Sequence, residues 1–208
     1  DLELERPTRA QNFWTAKETV VSWFFTTDHK RIAILYALTL IATFALGSVG
    51  AGIVRLELLT PQGDIVTAEA YNRAFTLHGI VMIFFFLVPL IPTTLGNFLL
   101  PLMLGAKDLA FPRLNLASWY VFSAGTALAL FAILMGGLET GWTFYTPLSS
   151  VYADGYVTLA VLGVFISGFS SIFSGINFIV TTHTLRAPGM GWFRMPLFVW
   201  SLYATSIV

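Results

Sequence analysis

The sequence holds no cysteine. Disulfides, thiolate-ligated metal centres and cysteine nucleophiles are therefore excluded. Charge is scarce as well: 11% of residues are Asp, Glu, Lys or Arg, where a soluble domain carries about 25%. Insertion into lipid accounts for the shortfall, because a charge at the bilayer centre costs roughly 3 kcal/mol or more. The net charge is zero and no Lys/Arg cluster suits a phosphate backbone, so nucleic acid is not an expected partner. A phosphate-binding glycine loop, a Ser-His-Asp constellation, a His-rich metal cluster, internal repeats and low-complexity segments are also missing. Residues 1–12 are polar, so no secretory signal is expected at the start of this sequence. The chain begins at Asp1 and stops at Val208 inside an apolar run. Both ends are expected to be the limits of a fragment.

Apolar residues make up 56% of the chain, and they fall into long runs. About 20 consecutive apolar residues cross the hydrocarbon. Spans are expected at 32–54, 75–100, 116–138 and 156–182, with a fifth, incomplete one at 196–208. Thr27 and Asp28 are candidate N-caps for the first. Pro89 and Pro92 are expected to kink the second. Residues 1–31 read as an interfacial segment, with Phe13, Trp14, Trp23, Phe24 and Phe25 mixed among Lys17 and Glu18; aromatic rings favour headgroup depth. The fold class expected is all-α, a polytopic transmembrane helix bundle over 32–208. Loop charge orients it. Arg6, Arg9, Lys17, Lys30, Arg31, Lys107, Arg113, Arg186 and Arg194 fall on one side, and only Arg55 and Arg73 on the other. That asymmetry predicts a cytoplasmic N-terminus.

His78 lies about one turn inside the second span, on the outer side. An ionisable group within a membrane is a functional candidate by default, and imidazole is a common haem-iron ligand. The alternative is an interhelical hydrogen bond. Gly79 beside it is expected to leave room for a flat macrocycle. Arg55 ends the first span on the same side, placed either to pair with haem substituents or to snorkel to headgroups. Trp142 falls there too, either bonding a propionate or belonging to the aromatic belt.

A polar set gathers at the inner face. Asn97 ends the second span, Asp108 lies in the loop, and Asn115 and Ser118 open the third. Ser167, Ser170, Ser171, Ser174 and Asn177 recur at helical spacing in the fourth. The column suits a water chain with Asp108 as its collecting carboxylate; small and hydroxyl residues are equally the ordinary glue of membrane helices. His29 and His183, at inner span ends, are expected to be interfacial and too far in depth from His78 to share a metal.

Together these residues resemble the N-terminal portion of subunit I of the haem-copper oxidases, from about Asp28 onward. The stretches that carry the resemblance include Asp28-His29-Lys30, Arg55-Leu56-Glu57-Leu58, His78-Gly79-Ile80-Val81-Met82-Ile83-Phe84-Phe85 and Gly96-Asn97-Phe98-Leu99-Leu100-Pro101-Leu102. Gly105 to Asn115, Thr140-Gly141-Trp142-Thr143, Gly175-Ile176-Asn177-Phe178 and Pro196-Leu197-Phe198-Val199-Trp200 follow in the family's order.

The resemblance implies roles. His78 matches an axial ligand of the low-spin haem, haem A in the nearest relatives. Arg55 matches an arginine bonding that haem's formyl group, and Trp142 a tryptophan near a propionate. Asp108 matches the entrance carboxylate of a proton channel. Asn97, Asn115, Ser118, Ser170, Ser171 and Asn177 match its polar lining, and Tyr36 a tyrosine in the same region. Glu57 matches a residue near a peripheral cation site in some relatives. Leu116, Thr93-Thr94-Leu95 and Arg31 depart from the family pattern.

The implied function is part of a respiratory terminal oxidase that reduces oxygen to water and pumps protons. Subunits II and III, cytochrome c or a membrane cytochrome, oxygen and the bilayer are the implied partners, in a bacterial plasma membrane. The second haem, its ligand, the copper histidines and the second ligand of the low-spin haem are expected beyond Val208. Rival readings are a quinol oxidase or nitric oxide reductase of the same superfamily, and a non-redox transporter or assembly subunit. A two-haem cytochrome b is disfavoured, because only His78 lies well inside a span.

Overall fold

A computed structural model describes residues 19–152 and 155–208. Phe13, Trp14, Lys17, Glu18, Arg6 and Arg9, with most of the expected interfacial segment, lie outside the described residues. Within the rest of that segment lies a short helix, α1 (Val20–Phe24), capped by the Thr19 side chain, which accepts from the Ser22 N–H. The Tyr120 hydroxyl donates to the Phe24 carbonyl, and the Arg31 guanidinium lies 5.0 Å over the Trp23 ring. Those contacts tie α1 to the bundle.

The first long helix, α2 (His29–Glu57), starts at Asp28, whose carboxylate accepts from the N–H groups of Lys30 and Arg31. Its 29 residues extend about 43 Å at ~1.5 Å per residue, enough to cross about 30 Å of hydrocarbon. The next span, Ala68–Leu104, is continuous for 37 residues. It comprises α3 (Ala68–Met82), wide π turns at Ile83–Leu87 and Leu90–Gly96, and α4 (Asn97–Leu104). Then come α5 (Pro112–Gly136), α6 (Tyr156–Thr184) and a shorter α7 (Leu197–Ile207). Among the described residues there is no strand. Among the described residues four helices are long and apolar enough to cross a membrane, so the all-α, polytopic architecture read from the sequence holds.

Three prolines interrupt the second span, and each leaves a carbonyl one turn earlier without its α-helical donor. Lipid offers no replacement, so neighbouring helices must supply one. Helix α2 supplies two. The Thr43 hydroxyl donates to the Phe85 carbonyl, four residues before Pro89, at 2.7 Å. His29 Nδ1 donates to the Asn97 carbonyl, four before Pro101, also at 2.7 Å. The kinks expected at Pro89 and Pro92 thus take the form of two π segments, and the first is bonded to α2.

Close approach elsewhere relies on small residues, the usual basis of helix association in lipid. A Cβ on Gly50 would lie 2.9 Å from the Ala74 carbonyl, and one on Gly47 2.8 Å from Met82 Sδ. Antiparallel α5 and α6 touch backbone to backbone: a Cβ on Gly163 would stand 2.6 Å from the Ala129 nitrogen. Around these contacts Ile32, Tyr36, Leu40, Phe85, Phe122 and Ala129 form the central core. Leu100, Leu104, Phe178, Val199 and Leu202 form a second cluster between α4, α6 and α7.

Candidate functional site

The functional candidates divide between the two ends of the bundle. At the end where α2 finishes, His78 faces α2 across the glycine contact. Its Nδ1 lies 2.9 Å from the Gly47 carbonyl oxygen. A carbonyl only accepts, so Nδ1 carries a proton and donates it. That is the arrangement by which a second hydrogen bond orients a ligating imidazole. The interhelical hydrogen bond weighed for His78 from the sequence is thus present and uses Nδ1.

Gly79 behaves otherwise than expected. Its open face is covered by Trp142, since a Cβ there would meet Trp142 Cβ and Cδ1 at 3.0 Å. The missing side chain makes room for an indole of this chain, not for a macrocycle, and it sets Trp142 one residue from His78. Trp142 is part-exposed and its ring is 6.4 Å from that of Phe84. Arg55 sits in the last turn of α2, eight residues and about 12 Å along the axis from Gly47. It is exposed, with no hydrogen bond or ion pair among the described residues. Glu57 is buried and occupied: its Oε2 accepts from the N–H groups of Ile65 at 3.0 Å and Val66 at 2.7 Å. Its carboxylate closes the turn between α2 and α3. Gly63, at φ +60°, passes so close that a Cβ would be 3.0 Å from Glu57 Oε1.

At the opposite end, Asp108 lies in the loop between α4 and α5, which begins at Gly105 in the left-handed region that lacks a Cβ penalty. Asn177 clamps this loop with its whole amide: Oδ1 accepts from the Phe111 N–H at 2.9 Å and Nδ2 donates to the Phe111 carbonyl at 3.1 Å. Thr181 adds a third point, accepting from the Ala110 N–H at 2.9 Å. Burial pushes the Asp108 carboxyl above the ordinary carboxylate range. The Leu109 N–H and the charge and N–H of His29 pull it partly back, while Asp28 pushes it further up. The Asp108 carboxyl, the Asp28 cap and His29 thus converge at the α2 N-terminus. His29, expected at the inner end of a span, begins α2 and is 2% exposed, held by the carbonyl that Pro101 leaves open. His183 is exposed, its Nε2 bonded to the Tyr203 hydroxyl at 2.9 Å.

Between the ends runs a buried polar column. The Tyr36 hydroxyl is 2.8 Å from both Ser118 Oγ and Ser170 Oγ. Ser118 donates its only proton to the Asn115 carbonyl at 2.6 Å. Tyr36 therefore donates to Ser118 and accepts from Ser170. Ser174 joins at 3.5 Å from Ser118. Asn97 and Asn115 are fully buried, yet Asn97 Oδ1 and both amide atoms of Asn115 have no protein partner among the described residues.

Ser171 stands apart from this column. It is exposed and bonded to the Gly168 carbonyl, because 100° of helix separates it from Ser170. Both serines border a cleft of about 690 Å³ between the π segments, α6 and α7. Sequence reading missed Thr43, Thr181 and the role of His29. The signal for Thr43 and His29 was available: a proline four residues after a buried carbonyl demands a donor.

Comparisons with known proteins place the chain in a family. The cytochrome c oxidase subunit 1 of Thermostichus vulcanus is 40% identical over 184 residues, covering 88% of this chain and 33% of that protein. The haem-copper oxidase subunit I+III of Aeropyrum pernix is 42% identical over 193 residues, 91% of this chain and 24% of that protein. The cytochrome c oxidase subunit 1 of Corynebacterium efficiens is 37% identical over 208 residues, 97% of this chain and 36% of that protein. The chain thus spans about a third of the length of the curated relatives it matches. The family described as Cytochrome C and Quinol oxidase polypeptide I matches residues 31–208. This chain, an integral membrane helix bundle, belongs to that family.

Proposed function

We propose that the chain is the N-terminal third of the oxygen-reducing subunit of a respiratory terminal oxidase, holding one side of a haem site at the α2–α3 end and a proton entry at the Asp108 end. The buried column of Asn97, Asn115, Ser118, Tyr36, Ser170 and Ser174 carries this reading. Leaving a buried amide atom unpaired costs about 1–3 kcal/mol, and ordered water is the usual remedy for such groups. A column of this kind, leading inward from a carboxyl whose proton affinity is raised, suits proton uptake.

The donor set fits a haem. His78 has its Nδ1 fixed by Gly47 and its Nε2 free to ligate iron, Arg55 has an unpaired guanidinium, and Trp142 offers an indole N–H. When bound, the haem, haem A on the resemblance, supplies one-electron redox chemistry. Gly47 orients the imidazole and sets its tautomer. Arg55 and Trp142 contribute a cation and a donor to the haem's polar edge. At the other end, Asp108 collects protons and the Ser170–Tyr36–Ser118 chain passes them by reversing its hydrogen bonds. Asn177, by contrast, positions the Asp108 loop. Ser171 borders the route from the cleft side.

The Glu57 carboxylate serves its turn, with any peripheral cation confined to its second oxygen. The second haem and copper come from segments beyond Val208, and those segments pack into the cleft beside Ser170. Subunits II and III and a cytochrome c donor complete the enzyme; the Aeropyrum relative is named as a subunit I+III protein. The N-terminus faces the cytoplasm of a bacterial plasma membrane, following the loop charges. Asp108→Asn in the complete oxidase tests the assignment. Proton uptake should slow by about tenfold or more while the haem spectrum stays unchanged. Uptake at the wild-type rate would refute it.

A further inference from the structure

The Trp142 indole is exposed on one side and sits in a loop of 19 residues between α5 and α6, yet three contacts with one face of α3 define its place. Arg73, Thr76 and Gly79 are spaced three apart, each step falling about 60° short of a full turn, and form a slanting strip. At the first point the Arg73 guanidinium pairs with Glu69 and lies 3.6 Å from the Glu139 carboxylate. It also lies beneath Gly137: a Cβ there would fall 2.5 Å from it, and Gly137 at φ +59° is already in the left-handed region. At the second, Thr76 is fully buried and its hydroxyl accepts from the Gly141 N–H at 3.0 Å. At the third, Gly79 lets the Trp142 side chain rest on the α3 backbone. The turn that follows is itself constrained, with Phe144 at φ 50°, a conformation uncommon for a bulky side chain.

We infer that Arg73, Thr76 and Gly79 form a dock for residues 137–142, and that Thr76 is a positioning residue that sets the Trp142 indole beside the haem face of His78. Nothing in the haem reading requires the dock, because a loop tryptophan reaches a headgroup-level acceptor in many conformations. The dock instead ties Trp142 to the helix that carries the proposed iron ligand. His78 and Trp142 are then fixed relative to each other through α3 alone: His78 as part of it, Trp142 by resting on Gly79 and through the Gly141 N–H. Preorganisation of this kind is how a single hydrogen-bond donor tunes a redox group reproducibly. The inference rests on the haem reading only for its consequence; the dock is a property of this chain's own contacts.

The test uses the complete oxidase labelled with 5-fluorotryptophan, with the Trp142 ¹⁹F resonance assigned by its loss in Trp142→Phe. Thr76→Val keeps the side-chain shape and removes the acceptor. It should move or broaden the Trp142 resonance and lower the ratio of reduced to oxidised low-spin haem at a fixed poise by about threefold. Thr76→Ser should retain both wild-type values, which a role in packing alone would not predict. Gly79→Ala should displace the resonance further, since its Cβ meets the indole directly. Thr76→Val in the Trp142→Phe background should change the haem ratio no further.

An unmoved Trp142 resonance in Thr76→Val overturns the dock, whatever the haem does. A moved resonance with an unchanged haem ratio in Trp142→Phe supports the dock and overturns the placement of Trp142 at the haem. The two failures are thus distinguished.

Discussion

Thr43→Val preserves the shape of a buried side chain and removes one hydroxyl. That hydroxyl lies 2.7 Å from the Phe85 carbonyl and 2.9 Å from the Leu40 carbonyl. It has a single proton, and the two acceptors are not equivalent. Leu40 is inside a regular helix, where a backbone N–H is available one turn on. Phe85 precedes Pro89 by four residues and has no such donor. A buried carbonyl left without a donor costs about 1–3 kcal/mol. Interhelical hydrogen bonds in membranes are worth less on average, about 0.6 kcal/mol with a maximum near 1.7, because the unfolded chain in lipid also finds partners. The upper part of that membrane range applies here, since the proline denies the carbonyl a local alternative.

Thr43→Val is therefore expected to cost about 1–2 kcal/mol. Reversible unfolding of the full-length subunit in mixed micelles measures it. The discriminating arm is a cycle with Pro89→Ala. Alanine restores a backbone N–H in the second span, so Thr43→Val should then cost only a few tenths of a kcal/mol, a coupling of about 1 kcal/mol. Equal costs in the two backgrounds would refute the argument that proline creates the need for Thr43.

His29→Ala should cost about 1–2 kcal/mol for the same reason, and Pro101→Ala should relieve that cost in the same unfolding assay. His78→Ala should remove the low-spin haem absorption while circular dichroism shows an unaltered helix content; a retained low-spin band would exclude it as ligand. Asp108 provides a pH test. Burial raises its carboxyl above the ordinary value of 3.8, so the folded state binds the proton more tightly than the unfolded state. The folded protein pays nothing for this below that value and loses stability as pH rises through and beyond it. Asp108→Asn should therefore gain in relative stability from about pH 4 upward, and only modestly, because the group is half exposed. A variant whose advantage grew toward low pH would reverse the sign of this reasoning.

The expected windows 32–54 and 156–182 fall within the helices His29–Glu57 and Tyr156–Thr184. The helices outrun the apolar windows because hydrogen bonding continues past the hydrocarbon edge. Tyr36, Ser118 and Ser170, grouped from the sequence, lie in hydrogen-bond contact, whereas Ser171 bonds elsewhere, because adjacent serines on a helix point 100° apart. Asn177 could not be recognised as a loop clamp, since Phe111 lies 66 residues away in the chain. Gly79 was misread because its neighbour in space, Trp142, comes from a distant loop.

Composition and hydropathy alone determined that this chain inhabits a membrane, and the order of its motifs carried the family resemblance. Apolar length and missing charge are local properties, and motif order needs no coordinates. Only the tertiary structure decided which faces meet. In lipid an apolar side chain is equally at home outside and inside, so Leu38, 60% exposed, and Leu40, fully buried, look alike in the sequence. The choice between them was made by features without hydrophobic signature: glycines that admit a neighbouring backbone, and prolines whose unpaired carbonyls draw Thr43 and His29 across from α2.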